Sequence, residues 1–181
     1  MTPIGQMSRA ALGAYVQETL RARGIDMVLS GGVCVSIYSN GKYVSMDLDM
    51  IHTGLLAPKR SLIRESMNEL GFTEEGRHFR HEETDIFVEF PRGPPSVGQE
   101  PVKEIINRQE VTGILRIISP TDCVKDRLTW FYHDNDHQCL EQAVLVSQEN
   151  TIDLDEIERW SGVEGKKELF KQIKNKLEKK A

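Results

Sequence analysis

GGVCVSIYSNGKYVSMDLDM, residues 31–50, decides how this chain is read. Two glycines close one apolar run, and two aspartates with one residue between them sit inside the next. Gly31-Gly32 alone is compatible with a plain turn, and Asp47-Leu48-Asp49 with a solvated strand face. Their surroundings say more. YVSMDLDMI (43–51) alternates, with Val44, Met46, Leu48 and Met50 on one side and Ser45, Asp47, Asp49 and Ile51 on the other. A period of two predicts a strand. Residues two apart on a strand share a face, so Asp47 and Asp49 stand side by side. Like charges that close repel and raise each other's pKa, and a divalent cation removes the conflict. Mg²⁺ (or Mn²⁺) prefers oxygen ligands and is held by one or two carboxylates together with substrate phosphates.

The glycines supply the complementary half. IDMVLS (25–30) reads as a short apolar strand running into Gly31-Gly32. VCVSIYS (33–39) is ambiguous by composition. A short helix suits it, because the glycines must turn the chain away from the strand. Without Cβ atoms, Gly31 and Gly32 let the backbone turn sharply and come close to a ligand. A helix starting there would present free N–H groups to a phosphate. Ser30, Ser36 and Ser45 offer nearby hydroxyls.

A third carboxylate would complete a two-ion type of site. TDIFVEF (84–90) offers Asp85 and Glu89 on one face, with Phe87 between them and Ile86, Val88 and Phe90 toward the core. Glu89, just before the following loop, is favoured; Asp85 is the alternative.

The rest of the chain sorts into two parts. Ser8 to Arg23 has a helical stripe of Leu12, Tyr15, Val16, Thr19 and Leu20, with Ser8 as cap and Gly24 as stop. Pro58 opens a helix through Leu70. FTEEGRHFRHEETDIFVEF (72–90) reads as strands turning at Gly76, PRGPPSVG (91–98) as a loop, and VTGILRIIS (111–119) as another strand. From SPTD (119–122) onward the pattern is helical, with Ser119 as cap and Pro120 in the first turn. The expected organisation is a core over 1–118 and a helical region over 119–181. Lys125, Asp126 and Arg127 lie on the first of those later helices. YHDNDHQ (132–138) resembles a metal cluster but falls at a helix break, where Asp and Asn serve as caps.

Composition sets the bounds. Hydrophobic residues at 39% and charged residues at 28% fit a globular chain, and no apolar run approaches the length a membrane helix needs. The N-terminal MTPIGQMSRAALGAYV lacks the basic and apolar regions of a secretory signal. Three widely spaced cysteines, Cys34, Cys123 and Cys139, argue against a disulfide framework or zinc site. The expected setting is cytoplasmic. A net charge of −5 argues against broad nucleic-acid binding. The basic GKKELFKQIKNKLEKKA (165–181) reads as a solvated helix with one apolar stripe, Leu169, Phe170, Ile173 and Leu177.

The ordered combination of a strand ending in Gly-Gly, a short helix, and SMDLDM (45–50) resembles the signature of the nucleotidyltransferase superfamily with the DNA polymerase β-like fold. The resemblance covers about residues 25–91 and is closest to small prokaryotic members, including abortive-infection toxins. SPTDCVKDRLTWFYHDNDHQCLEQAVLV (119–146) is similar to the helical segment of some members. The fourteen residues between Gly32 and Asp47 slightly exceed the usual spacer, and Glu89 stands where Asp is commoner. The resemblance implies an α+β fold with a mixed sheet flanked by helices and a C-terminal helical segment. It also implies transfer of an NMP from an NTP co-substrate to a hydroxyl of RNA (possibly tRNA), protein or a small molecule. On this expectation Asp47, Asp49 and Glu89 bind the metal, Ser30, Gly31, Gly32, Ser45 and Lys125 attend the nucleotide, and Lys125 or Arg127 of the helical segment stabilises phosphate charge. A cognate partner protein, as in toxin–antitoxin pairs, belongs to the same expectation. So does the alternative, a catalytically degenerate binding or regulatory module.

Overall fold

Alternating apolar runs and glycine stops build a mixed sheet with helices on both faces. A computed structural model describes residues 2–178. After a short 3-10 turn at Ile4–Gln6, the elements begin with α1 (Arg9–Arg21), β1 (Met27–Ser30), α2 (Gly32–Tyr38), β2 (Asp47–His52) and α3 (Arg60–Glu69). Seven strands follow, five of one sheet and a two-stranded ribbon of β6 and β7: β3 (Thr73–Glu75), β4 (His78–His81), β5 (Thr84–Glu89), β6 (Ser96–Val97), β7 (Glu100–Pro101), β8 (Ile105–Glu110) and β9 (Gly113–Ile118). Four helices end the described chain: α4 (Pro120–Asp134), α5 (His137–Glu149), α6 (Leu154–Val163) and α7 (Lys167–Glu178).

The sheet order is β3-β4-β5-β2-β1-β9-β8. β2 runs parallel to β5 and β1 parallel to β9, while the other pairs are antiparallel. This is an α+β fold with a mixed sheet flanked by helices and a helical C-terminal segment.

Alternation decides which side chains meet which layer. Leu48 and Met50 of β2 and Leu115 of β9 face α1, where they would crowd a Cβ on Gly13. Gln17 of α1 clamps the sheet from the same side, donating to the Arg116 carbonyl at 2.8 Å and accepting from the Arg116 N–H at 2.7 Å. The other face carries Ser30, Asp47, Asp49 and Glu89, and α2 packs on it beside β1 and β2. One apolar core runs through both parts of the chain, from Leu12, Val33 and Leu48 to Leu128, Trp160 and Phe170.

Several expected boundaries move, each for a local reason. The strand expected over 43–51 starts at Asp47. Before it, the Ser39 and Ser36 hydroxyls accept from the backbone N–H groups of Tyr43 and Ser45, at 3.2 Å and 2.9 Å. Those side chains take the place of a ladder. β8 had no signal, because IINRQE lacks a period of two on a polar edge. PRGPPSVG contains one strand of the small β6–β7 ribbon. The caps at Ser119 and Asp136 form, with Asn135 in the left-handed region closing α4. The stripe on α7 buries Phe170, Ile173 and Leu177; Lys179 and Lys180 of the basic stretch lie outside the described residues.

Candidate active site

β1 ends in the turn that the two glycines permit. Gly31 adopts φ +73° and ψ −156°, a conformation available essentially to glycine, and caps α2. A Cβ there would stand 2.0 Å from Asp49 Oδ2, and one on Gly32 would stand 2.8 Å from Ser45 Oγ. The two halves of the opening stretch therefore touch: the backbone of Gly31-Gly32 lies against the side chains of Asp49 and Ser45. α2 is only seven residues long, so its dipole adds little. What this turn offers is close backbone approach.

Strand register assembles the carboxylates. Ser30 pairs with Asp49 across β1–β2, and Asp49 lies level with Glu89 across β2–β5, with Asp47 level with Phe87. Directly paired residues share a face. Asp49 thus stands between Ser30 and Glu89, with Asp47 on the same strand face. Asp85 sits four residues before Glu89 at the exposed start of β5, so the register brings Glu89 rather than Asp85 beside Asp49. Ser45 precedes the strand. Its carbonyl accepts from Arg9 Nε at 2.6 Å, and its hydroxyl accepts from the Asp47 N–H at 3.4 Å.

Burial and crowding shape the charge. Burial first, then the charges of Glu89, Asp47 and Asp126, push the Asp49 carboxyl up to about 7, while Arg127 pulls it down. The donor set is hard oxygen, and its mutual repulsion is what a divalent cation relieves, so the residues fit Mg²⁺ or Mn²⁺. Among the described residues, no three His, Cys, Asp or Glu side chains close into a metal cage by themselves. The arrangement suits a cation held partly by protein and partly by phosphate.

Two side chains from β4 and the turn before it reach Glu89. His78 lies across the β4–β5 ladder from it, with Nδ1 2.5 Å from Glu89 Oε1, and Arg77 Nε stands 3.6 Å from the same oxygen. The His78 ring meets Phe87 edge-on at 4.7 Å. An irregularity between Phe79 and His81 shifts the ladder, so counting back from the hairpin turn does not find this pair.

The helical part contributes differently from expectation. Lys125 is withdrawn from the site. It is fully buried, with Nζ 2.8 Å from Asp122 Oδ1 and 3.2 Å from Glu156 Oε1. Two residues along a helix turn by about 200°, so Lys125 and Arg127 point to opposite sides of α4. Arg127 is the basic group whose field reaches Asp49. Asp126 holds it at 2.5 Å, and it donates to Gln142 Oε1 of α5 at 3.3 Å. Trp130 is 50% exposed, whereas Trp160 is fully buried. His133 pairs with Glu164 at 3.0 Å and Asp136 caps α5, so these two members of YHDNDHQ are committed to helix-end contacts. The three cysteines are buried free thiols. Among the described residues, no helix is long and apolar enough to cross a membrane.

No protein-family description matches this chain, and no curated protein matches it. Two solved structures are similar to it. One is the solution structure of the antibiotic-resistance factor ANT(2'')-Ia, at 15% identity and TM-score 0.47, covering 91% of both chains. The other is the crystal structure of ANT(2'')-Ia in complex with adenylyl-2''-tobramycin, at 14% identity and TM-score 0.47, covering 87% of this chain and 94% of that one.

Proposed function

We propose that this chain is a Mg²⁺-dependent nucleotidyltransferase that moves an NMP from an NTP to an acceptor hydroxyl on RNA, protein or a small molecule. The observation that carries this reading is the contact between its two sequence halves. The Gly31 backbone is pressed on Asp49, and Asp49 lies level with Glu89. A triphosphate laid along the Gly31-Gly32 turn meets backbone without side-chain obstruction and lies next to three carboxylates. Asp47, Asp49 and Glu89 would hold the cation, which supplies neutralisation of phosphate charge when bound. Arg127 adds a fixed positive charge, held by Asp126 and Gln142. The acceptor oxygen attacks the α-phosphorus in line, and pyrophosphate leaves. Catalysis of this kind is positioning and electrostatics.

Incubation with each α-labelled NTP, Mg²⁺ and a cell extract tests the reading. Wild type labels an acceptor, and the Asp47→Ala, Asp49→Ala double variant does not. Full labelling by the double variant overturns it. A toxin or defence role with a cognate partner is the finer form. Its mark is growth arrest on expression that the double variant does not cause.

The contact of His78 and Arg77 with Glu89 favours a second reading, a nucleotide-binding module without turnover. Calorimetric binding of an NTP with Mg²⁺, without label transfer to any extract component, would identify it.

A further inference from the structure

The strand that carries Asp49 also borders a second concavity, on the other face of the sheet. Alternation along β2 places Met50 and His52 away from Asp47 and Asp49. There Met27, Met50, Ile63 and Phe90 form the apolar floor of a cavity of about 480 Å³. That volume lies in the range of small-molecule pockets.

Its charged lining, Arg60 and Arg92, has one sign. His52, Arg60 and Arg92 border the cavity, and no Asp or Glu does. In a chain of net charge −5 this is a local reversal. Arg60 is committed: its Nε donates to Glu74 Oε1 at 2.8 Å, and its guanidinium lies 4.8 Å over the Phe79 ring. Arg92 has no hydrogen-bond or ion-pair partner among the described residues. His52 Nδ1 is buried without a hydrogen-bond partner. The loop after β5 fixes the ring in place. A Cβ on Gly93 would stand 2.4 Å from the His52 carbonyl oxygen and 3.0 Å from its Nε2. An apolar floor, an unpaired guanidinium and a lining without carboxylates are complementary to one chemistry.

We propose that this cavity binds a small amphipathic monoanion, an acyl or aryl body ending in a single carboxylate. The body lies on Met27, Met50 and Phe90, and the carboxylate faces Arg92. The site is separate from the carboxylate groove, and nothing in it depends on NMP transfer.

Methyl NMR of the full chain, ¹³C-labelled at methionine and titrated with sodium octanoate or 1-octanol at pH 7, tests this. The Met27 and Met50 methyls, assigned through Met27→Leu and Met50→Leu, shift saturably with octanoate while Met46 stays still. Arg92 is exposed, so Arg92→Gln keeps the fold; it weakens octanoate by about tenfold or more and leaves octanol unchanged. Absence of a saturable Met27 and Met50 shift at millimolar octanoate overturns the proposal. So does equal affinity for octanol and octanoate in both wild type and Arg92→Gln.

Discussion

Asp49 Oδ2 occupies the space that a Cβ on Gly31 would need, only 2.0 Å away. The glycine is therefore required twice, by its left-handed φ of +73° and by the carboxylate beside it. Gly31→Ala is expected to lose roughly 1–3 kcal/mol from backbone strain, with further loss from the clash. Chemical denaturation measures it. A shift near zero would mean that the turn relaxes without cost.

Asp49 also makes stability depend on pH in a defined direction. Its carboxyl is raised from 3.8 to about 7 in the fold, so the folded state holds the proton more tightly than the unfolded chain. Its contribution is full below about pH 4, declines as pH rises through 4 to 7, and is gone above that. Asp49→Asn removes the ionising group. It is expected to be more stable than wild type at pH 8 by roughly 2–4 kcal/mol, with little difference at pH 4. Millimolar Mg²⁺ at pH 8 should raise the wild-type melting temperature more than that of Asp49→Asn. Equal response of the two proteins would place the cation elsewhere.

Glu89 and Asp85 share a strand face but not a register position. Glu89→Gln is expected to reduce label transfer by about 100-fold or more, as loss of a preorganised charge at a reacting phosphate does. Asp85→Asn should stay within about twofold, because nothing places it opposite Asp49. The reverse order in a rate comparison would mean that the chain binds nucleotide farther along β5.

Lys125 is structural, and its variant should behave accordingly. Lys125→Met leaves Asp122 buried without its cation, while Glu156 keeps Lys103 and Arg159, and breaking a buried pair costs about 3–5 kcal/mol. The melting temperature falls sharply, while NTP affinity per folded molecule, measured at low temperature, is retained. Lost affinity in a still-folded variant would return Lys125 to the site.

Trp130 shares the α4 face of Asp126 and Arg127, being four and three residues further on. It is half exposed, and Trp160 is fully buried. Acrylamide should quench Trp130 alone, and NTP with Mg²⁺ should alter that fraction. Trp130→Phe abolishes both effects. Nucleotide-dependent emission surviving in the variant would assign the response to Trp160.

What could be read directly is the chemistry carried by local rules. Period-two alternation put Asp47 and Asp49 on one face, Gly31-Gly32 marked a turn with close backbone approach, and Ser119-Pro120 marked a helix start. Each depends on residues a few positions apart, where sterics and backbone hydrogen bonding act alone. The pairing of Asp49 with Glu89 and of Glu89 with His78 was not readable in the same way. Forty residues separate the first pair, and a ladder irregularity hides the second. The parting of Lys125 from Arg127 depended on which side of α4 met α6 and which met α5. A sequence states which side chains share a face of one element. Only the packed sheet and helices decide which faces meet, because register and burial are settled by the whole core at once.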